Sequence, residues 1–481
     1  MSDGLARLAN ACILPGFAGL TPPEWLRREL DKGLGGVVLF GRNVRDRAQL
    51  AALCGDLRAT RETVIAIDEE GGDVTRLEVG TGSSLPGNLA LGAVDDVSLT
   101  ERVGRALARE LRDLGVTHDL APVADVNTNP RNPVIGVRAF GADPSHAARH
   151  VAAFVTGLQR GGVTACAKHF PGHGATEVDS HLGLPTVTTT REALLENELV
   201  PFRAAIAAGT RAIMTAHVVV PAIDEAPATL SRAHLTGLLR DELGFTGMIV
   251  TDALEMQAVS AGVGMGEGAV RALAAGADAL CLGHDIDADH VARVRAALVG
   301  AVRAGRLSAE RLEQAAERNA ASFVPRPGVA DHPASLREIG MDAARRALRV
   351  EGPVATSGPL LVVELAAPLS VAAGLAWHDL GSILAQRGAD AAAISVGSAT
   401  GDLVELVAAH PGRRPILVVR DPERHGWQRE LADAFVAARP DAVVVDVGYP
   451  GWRPASAGLP ILTTFGAGRA NLVAAAERLS P

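Results

Sequence analysis

Aromatic side chains are scarce in this chain of 481 residues, with ten Phe, four Trp and one Tyr. A core without large rings is built from Ala, Gly, Val and Leu. That composition favours layered α/β packing, in which small residues let helices sit close on a sheet. Cysteine is also rare. Cys12, Cys54, Cys166 and Cys281 are far apart and form no CxxC pair. Cys12, Cys166 and Cys281 lie in apolar, strand-like runs and read as buried thiols. There is no basic block to suggest nucleic acid or an anionic membrane as a partner, and the formal net charge is -9. No apolar run reaches the length of a membrane span, and the N-terminus lacks a basic start followed by a long apolar stretch. The expectation is a soluble, cytoplasmic protein.

What is present is length and alternation. The chain is too long for one ordinary domain, so two are expected. Short β-branched runs alternate with helix-like stretches through the first two-thirds. Eight strands are expected, at Ala11–Pro15, Gly36–Phe40, Val64–Ile67, Thr117–Pro122, Thr164–Lys168, Ala212–His217, Met248–Thr251 and Ala279–Leu282. Helices are expected at Ser98–Leu114, Pro144–Gln159, Arg191–Ala207 and Ala233–Leu243. Eight strand–helix repeats fit a (β/α)8 barrel of the TIM type better than a doubly wound sheet, which rarely needs so many. Residues 1–325 are assigned to it.

The text FVPRPGVADHP, with three prolines in eleven residues, marks a linker placed at 326–340. Beyond it, Met341–Arg349 reads as helical. Strand-like runs follow at Leu360–Glu364, Ala391–Ser395, Pro415–Val419, Ala442–Val445 and Leu459–Thr463. Residues 341–481 are therefore expected to form a smaller open α/β domain without a dense polar motif.

The barrel reading puts polar residues into register. Arg42, Asp68, Asp125, Lys168 with His169, His217, Asp252 and His284 fall at or just past the C-terminal ends of the expected strands. In a barrel that rim is the catalytic face. The densest chemistry lies in AKHFPGHGATEVDSHLGLP, from Ala167 to Pro185. It holds one lysine, three histidines and an aspartate in a Gly-rich, Pro-bounded segment. In its Asp179-Ser180-His181 triplet the aspartate can hold one imidazole nitrogen and leave the other to move a proton. Asp252 ends an apolar run as a lone carboxylate. Asp is a good helix N-cap, but a carboxylate nucleophile facing a separate proton donor is also the layout of retaining glycoside hydrolysis. Asp68 ends another run and suits hydroxyl recognition; with Glu69 and Glu70 it could also bind a divalent metal. Lys168 and His169 can grip vicinal hydroxyls, and a lysine there could alternatively form a Schiff base. Arg138 lies in a loop rich in Asn, Pro and Gly, where a site role competes with a plain salt bridge. The loop histidines raise a metal reading, but HExxH and HxH spacings are missing.

Taken together, IDEEGG, LPGNLALG, APVADVNTNPRNPVIGVRAFG, KHFPGHG followed by DSHLGLP, PATLSR and TDALEM resemble glycoside hydrolase family 3. The resemblance is to its β-N-acetylglucosaminidase branch and runs from Ile65 to about Gly283. It implies a (β/α)8 barrel, removal of terminal β-linked N-acetylglucosamine with retention, and an open α/β sandwich after the barrel. It also implies a His/Asp dyad in place of the usual carboxylic acid/base. On this chain it makes Asp252 the nucleophile, His181 the acid/base and Asp179 its orienting partner. Asp68, Arg138, Lys168 and His169 become sugar-binding residues. No cofactor or metal is implied. One departure is visible, since Asp73 stands where many relatives carry an arginine after the EEGG text.

The expected substrate is a cell-wall fragment or chito-oligosaccharide. Alternatives are a phosphorylase releasing N-acetylglucosamine 1-phosphate, with phosphate as acceptor, a broad β-glucosidase, a metal-dependent hydrolase, or a catalytically silent sugar-binding protein.

Overall fold

The computed structural model describes residues 2–59, 61–180, 183–325, 335–354, 358–367, 373, 379–398, 403–454 and 458–480. The chain folds as two compact units. Unit 1 comprises 1–69, 97–128 and 142–334, and unit 2 comprises 70–96, 129–141 and 335–481. The expected partition was continuous along the chain. The structure instead gives two early segments, 70–96 and 129–141, to the second unit. Most of the expected linker, 326–334, lies outside the described residues.

Unit 1 is built on eight short strands: β1 (Ile13–Pro15), β2 (Gly36–Leu39), β3 (Val64–Ile67), β4 (His118–Asp119), β5 (Thr164–Phe170), β6 (Ala212–Thr215), β7 (Met248–Val250) and β8 (Leu280–Gly283). Parallel pairing runs in chain order from β2 through β7. A parallel bridge joins Val250 of β7 to Ala279 beside β8, and β8 pairs in parallel with β1. The curled parallel sheet fits a TIM-like domain. Its core is aliphatic or sulfur-bearing: Leu14, Val38, Ala66, Leu120, Cys166, Met214, Val250 and Cys281 belong to one buried cluster. This accords with the shortage of aromatics, because the buried residues of this cluster fill it without a ring.

Helices lie between the strands, including Arg47–Arg58, Val97–Asp113, Pro144–Arg160, Met265–Ala275 and Ala288–Arg303. Asp46, Asp143 and Asp287 cap three of them, each accepting a backbone N–H three residues on. The stretch expected as one helix at 191–207 is instead composite. A short helix, Arg191–Ala193, runs into a π-helical turn, Leu194–Glu198, and then into Val200–Ala207. Pro201 explains part of this, since it has no N–H to continue an α-helical ladder. A small antiparallel hairpin, Val219–Val220 with Asp224–Pro227, was not expected.

Cys12, Cys166 and Cys281 are buried and reduced, as read from the sequence, and so is Cys54. Burial pushes the Cys54 thiol up to about 12 and raises the other three further. None is a thiolate near neutral pH.

Unit 2 carries its own sheet. It consists of β9 (Arg349–Glu351), β10 (Leu360–Leu365), β11 (Ala391–Val396), β12 (Arg414–Val419), β13 (Val443–Asp446) and β14 (Ile461–Thr463). The order is β9-β14-β13-β12-β10-β11, parallel except for the antiparallel edge strand β9. One apolar cluster includes Val362, Ile416, Val445 and Leu472. A second includes Val363, Leu417, Phe435 and Val444. Alternate residues of one strand thus feed opposite faces, as the period of two requires. The helix expected at Met341–Arg349 begins earlier, at Leu336. Ser335 and Glu338 form a capping box there, and Arg349 already belongs to β9. Within this unit Asp73 is ion-paired to Arg420, and its Oδ1 accepts the Ala467 N–H at 2.9 Å. The residue that departs from the family pattern therefore has a structural task here.

Candidate active site

Polar side chains gather at the C-terminal ends of the unit 1 strands. Asp68 follows β3, and its Oδ1 accepts from Lys168 Nζ at 2.7 Å. Lys168 lies in β5 and is 1% exposed, so its ammonium needs that carboxylate. Asp119, at the end of β4, is completely buried. Its Oδ1 accepts the Glu69 N–H at 3.0 Å, and its Oδ2 has no partner. Burial, with the nearby Glu69 and Asp68 charges, holds this carboxyl well above its usual range against the opposing pull of Lys168. An acid whose charged form is disfavoured by burial thus stands on β4, between β3 and β5.

Asp125 organises the loop that follows β5. Its carboxylate accepts the His169 N–H at 3.2 Å, the His173 N–H at 2.7 Å and a bond from His169 Nδ1 at 2.7 Å. The carboxylate can only accept, so His169 Nδ1 carries a hydrogen and Nε2 is the other face of the ring. Burial alone would raise the Asp125 carboxyl, but His169 and His173 bring it below the usual range. The sign follows. Stability from this group is fully present above its unfolded value of about 4 and is lost as the pH falls through the lower folded value. Replacing Asp125 with Ala strips three N–H donors of their acceptor in a dry site. The expected cost is about 3–5 kcal/mol of unfolding free energy in urea melts. A loss below about 1 kcal/mol would count against a central role for this carboxylate.

His173 carries the loop onward. Its Nδ1 bonds Thr176 Oγ1 at 2.7 Å, and its Nε2 bonds Ser180 Oγ at 3.1 Å. Burial lowers this imidazole to about 4, with Asp125 and Asp252 pulling the other way, so it is neutral near pH 7. It acts as a staple between the start of the loop and the Asp179-Ser180 turn. Two glycines are required for that path. A Cβ on Gly174 would lie 1.7 Å from the Val126 carbonyl oxygen, and Gly172 adopts φ +130° with Glu198 pressed against it.

Asp252 follows β7, with its Oδ1 accepting the Ala253 N–H at 2.8 Å. His217, after β6, holds this strand end by bonding the Ala253 carbonyl through Nε2 at 3.0 Å and Thr229 Oγ1 through Nδ1 at 2.8 Å. The Asp252 charge acts on Cys166, Cys281 and His173. The Asp68, Lys168 and Asp119 charges act on Cys166 as well. Asp68, Lys168, His217 and Asp252 stand at or past the ends of β3, β5, β6 and β7, strands of one parallel sheet, so these side chains gather at the C-terminal end of its strands. At its margin Arg42 pairs with Asp285 at 2.5 Å, and Glu255 bonds His284.

Of the seven expected site residues, Asp68, Lys168, His169, Asp179 and Asp252 belong to unit 1. Asp179 is 7% exposed. His181 lies outside the described residues. Arg138 belongs to unit 2, where it makes a bidentate pair with Glu70 at 2.8 and 2.9 Å and donates to the Val134 carbonyl at 2.9 Å. The salt-bridge reading of Arg138 thus holds within that unit. Glu70 is engaged in this pair. Sequence reasoning placed Asp125 on the rim without a task, weighed His173 only in a metal reading, and missed Asp119 and Glu198. The available signal for Asp125 was an acid closing the APVAD run next to an Asn-rich loop.

The family model for the N-terminal domain of glycosyl hydrolase family 3 matches residues 23–321. The chain belongs to glycosyl hydrolase family 3. It is 39% identical over 263 residues to β-hexosaminidase A of Pseudoalteromonas piscicida, a match covering 50% of this chain and 44% of that protein. It is 41% identical over 274 residues to a β-hexosaminidase of Thiobacillus denitrificans, covering 55% of this chain and 76% of that one. In structure it resembles a family 3 β-N-acetylglucosaminidase from Paenibacillus. The TM-score is 0.87 and the identity 34%, over 99% of this chain and 96% of the other. That likeness extends past the family 3 match and takes in the C-terminal sheet.

Proposed function

We propose that the chain is a retaining exo-β-N-acetylglucosaminidase that removes terminal β-linked N-acetylglucosamine by double displacement. The observation that carries this reading is the placement of Asp252. It is a carboxylate just past the end of β7, in the same parallel sheet whose β5 runs into the Asp125-anchored loop that precedes Asp179 and His181. Asp252 attacks the anomeric carbon while His181, oriented by Asp179, protonates the leaving oxygen. His181 then takes the proton of the incoming acceptor. Asp68, Lys168 and His169 supply the polar grip on sugar hydroxyls. The fold that goes with this reading is a closed (β/α)8 barrel with an α/β sandwich domain after it. The natural substrates are cytoplasmic cell-wall fragments or chito-oligosaccharides. Related proteins named β-hexosaminidase and the Paenibacillus likeness support the reading.

A panel of aryl β-glycosides tests it. The N-acetylglucosaminide should be cleaved far faster than the glucoside, and proton NMR should show the β-anomer of the free sugar first. Equal rates on glucosides, or the α-anomer first, would overturn it. Phosphate is a further expected acceptor. After glycosylation a histidine is neutral, whereas a glutamate would carry a charge. Two unit charges about 4 Å apart repel by about 4 kcal/mol at an effective dielectric near 20. A phosphate titration followed by phosphorus NMR should show N-acetylglucosamine 1-phosphate. Its absence at high phosphate would leave water as the only acceptor.

A further inference from the structure

Glu198 is a buried carboxyl with no part in the chemistry above. It ends the π-helical turn Leu194–Glu198, in which the Leu199 N–H donates to the Leu194 carbonyl, five residues back, at 3.0 Å. A π turn re-aims the side chains around it, and such turns recur at functional sites. Here the side chain is aimed at the turn of the 169–180 loop. A Cβ built on Gly172 would lie 2.9 Å from Glu198 Oε2 and 2.9 Å from its Cβ. Glu198 is 5% exposed, and its Oε2 is buried without a hydrogen-bond partner among the described residues. A charged carboxylate is strongly disfavoured there.

We propose that Glu198 is a positioning residue that works uncharged. As a neutral acid it packs under the Gly172 turn and keeps residues 169–180 seated on Asp125, and its ionisation unseats them.

The surroundings fit a single negative charge at this place. Asp125 already holds it, below the usual carboxyl range, with three N–H donors on it. Burial first, and the Asp125 charge second, push Glu198 up to about 8. From the loop, His169 and His173 face Asp125, and His173 is neutral near pH 7. On helix Pro144–Arg160 the buried imidazole of His150 bonds Thr100, and on helix Val200–Ala207 Arg203 bonds the Leu195 carbonyl. Neither of these bonds involves Glu198. Ionising Glu198 would add a second carboxylate under the loop that Asp125 anchors, and among the described residues its Oε2 has no donor.

The sign of the stability effect follows from the raised value. The folded protein keeps a proton that the unfolded chain releases between about pH 4 and 8, so stability falls across that window and levels off above it. Glutamine at 198 has the same shape and no proton to lose.

The test compares wild type, Glu198→Gln and Glu198→Ala. The role assigned to the loop rests on the reading under Proposed function, so two of the three arms do not use activity. In thermal melts the gap by which Glu198→Gln exceeds wild type should widen from pH 5 to pH 8. In hydrogen exchange, corrected for the intrinsic effect of pH, wild type should lose protection at residues 169–180 between pH 7 and 9, and Glu198→Gln should not. In the activity arm, Glu198→Ala should lose about tenfold or more in kcat at pH 7. Glu198→Gln should restore it to within about threefold and lack the wild-type decline above pH 8. The proposal is overturned if Glu198→Gln keeps the wild-type pH dependence of exchange and melting, or is as impaired as Glu198→Ala at pH 7. Should the chain fail to cleave N-acetylglucosaminides, exchange and melting still decide the role of Glu198.

Discussion

Asp252→Asn is expected to abolish covalent catalysis while leaving the fold intact. Asparagine keeps the shape and can still receive the Ala253 N–H that now reaches Asp252 Oδ1 at 2.8 Å. It cannot form the ester with the anomeric carbon. For a residue on which both steps depend, the expected loss in kcat is on the order of 10³-fold or more. A melting curve matching wild type would separate this loss from unfolding. A 2-fluoro sugar with a good leaving group should label Asp252, and peptide mass spectrometry would locate the adduct. Labelling of another carboxylate, with Asp252→Asn still active, would remove Asp252 as nucleophile. Asp68 is the alternative to inspect first, but it is engaged with Lys168 at 2.7 Å, a bond that weakens it as a nucleophile.

His181→Ala should give the second large effect, and its size should depend on the leaving group. Substrates with poor leaving groups should lose about 10²–10⁴-fold, because their oxygen needs a proton in the transition state. Activated aryl glycosides need little protonation and should lose far less in the first step. Asp179→Asn should move the same way more gently, since it changes only the orientation and basicity of the imidazole. Equal losses of His181→Ala across all leaving groups would show that the residue binds substrate or supports the loop instead. His173→Ala is the informative control. It removes the staple to Thr176 and Ser180 rather than a proton donor. Its loss should therefore be similar for good and poor leaving groups.

Pattern alone carried far in unit 1. Apolar runs ending in Asp68, Lys168-His169 and Asp252 marked β3, β5 and β7 to within a residue or two, because a strand end is where apolar alternation stops and polar side chains begin. The strands of unit 2 were legible for the same reason, as near-continuous Val, Ile and Leu runs such as Val443–Asp446. Helix 191–207 was legible as helical but not as interrupted. An i→i+5 bond is chosen by tertiary packing, not by local propensity.

The sequence by itself determined the eight-fold strand–helix alternation, the placement of acids and bases at strand ends and the family. These are encoded in residue type and spacing, which act over a few neighbouring residues. Only the tertiary structure decided which groups share a charge. Asp125, 44 residues before His169, became the anchor of the loop, and Asp119 and Glu198 were left as buried acids whose carboxyls burial pushes up. Glu70 went to Arg138, 68 residues away, and Asp73 to Arg420, 347 residues away. A carboxyl's ionisation depends on what the folded chain puts around it and how completely it excludes water, and neither quantity is local in sequence.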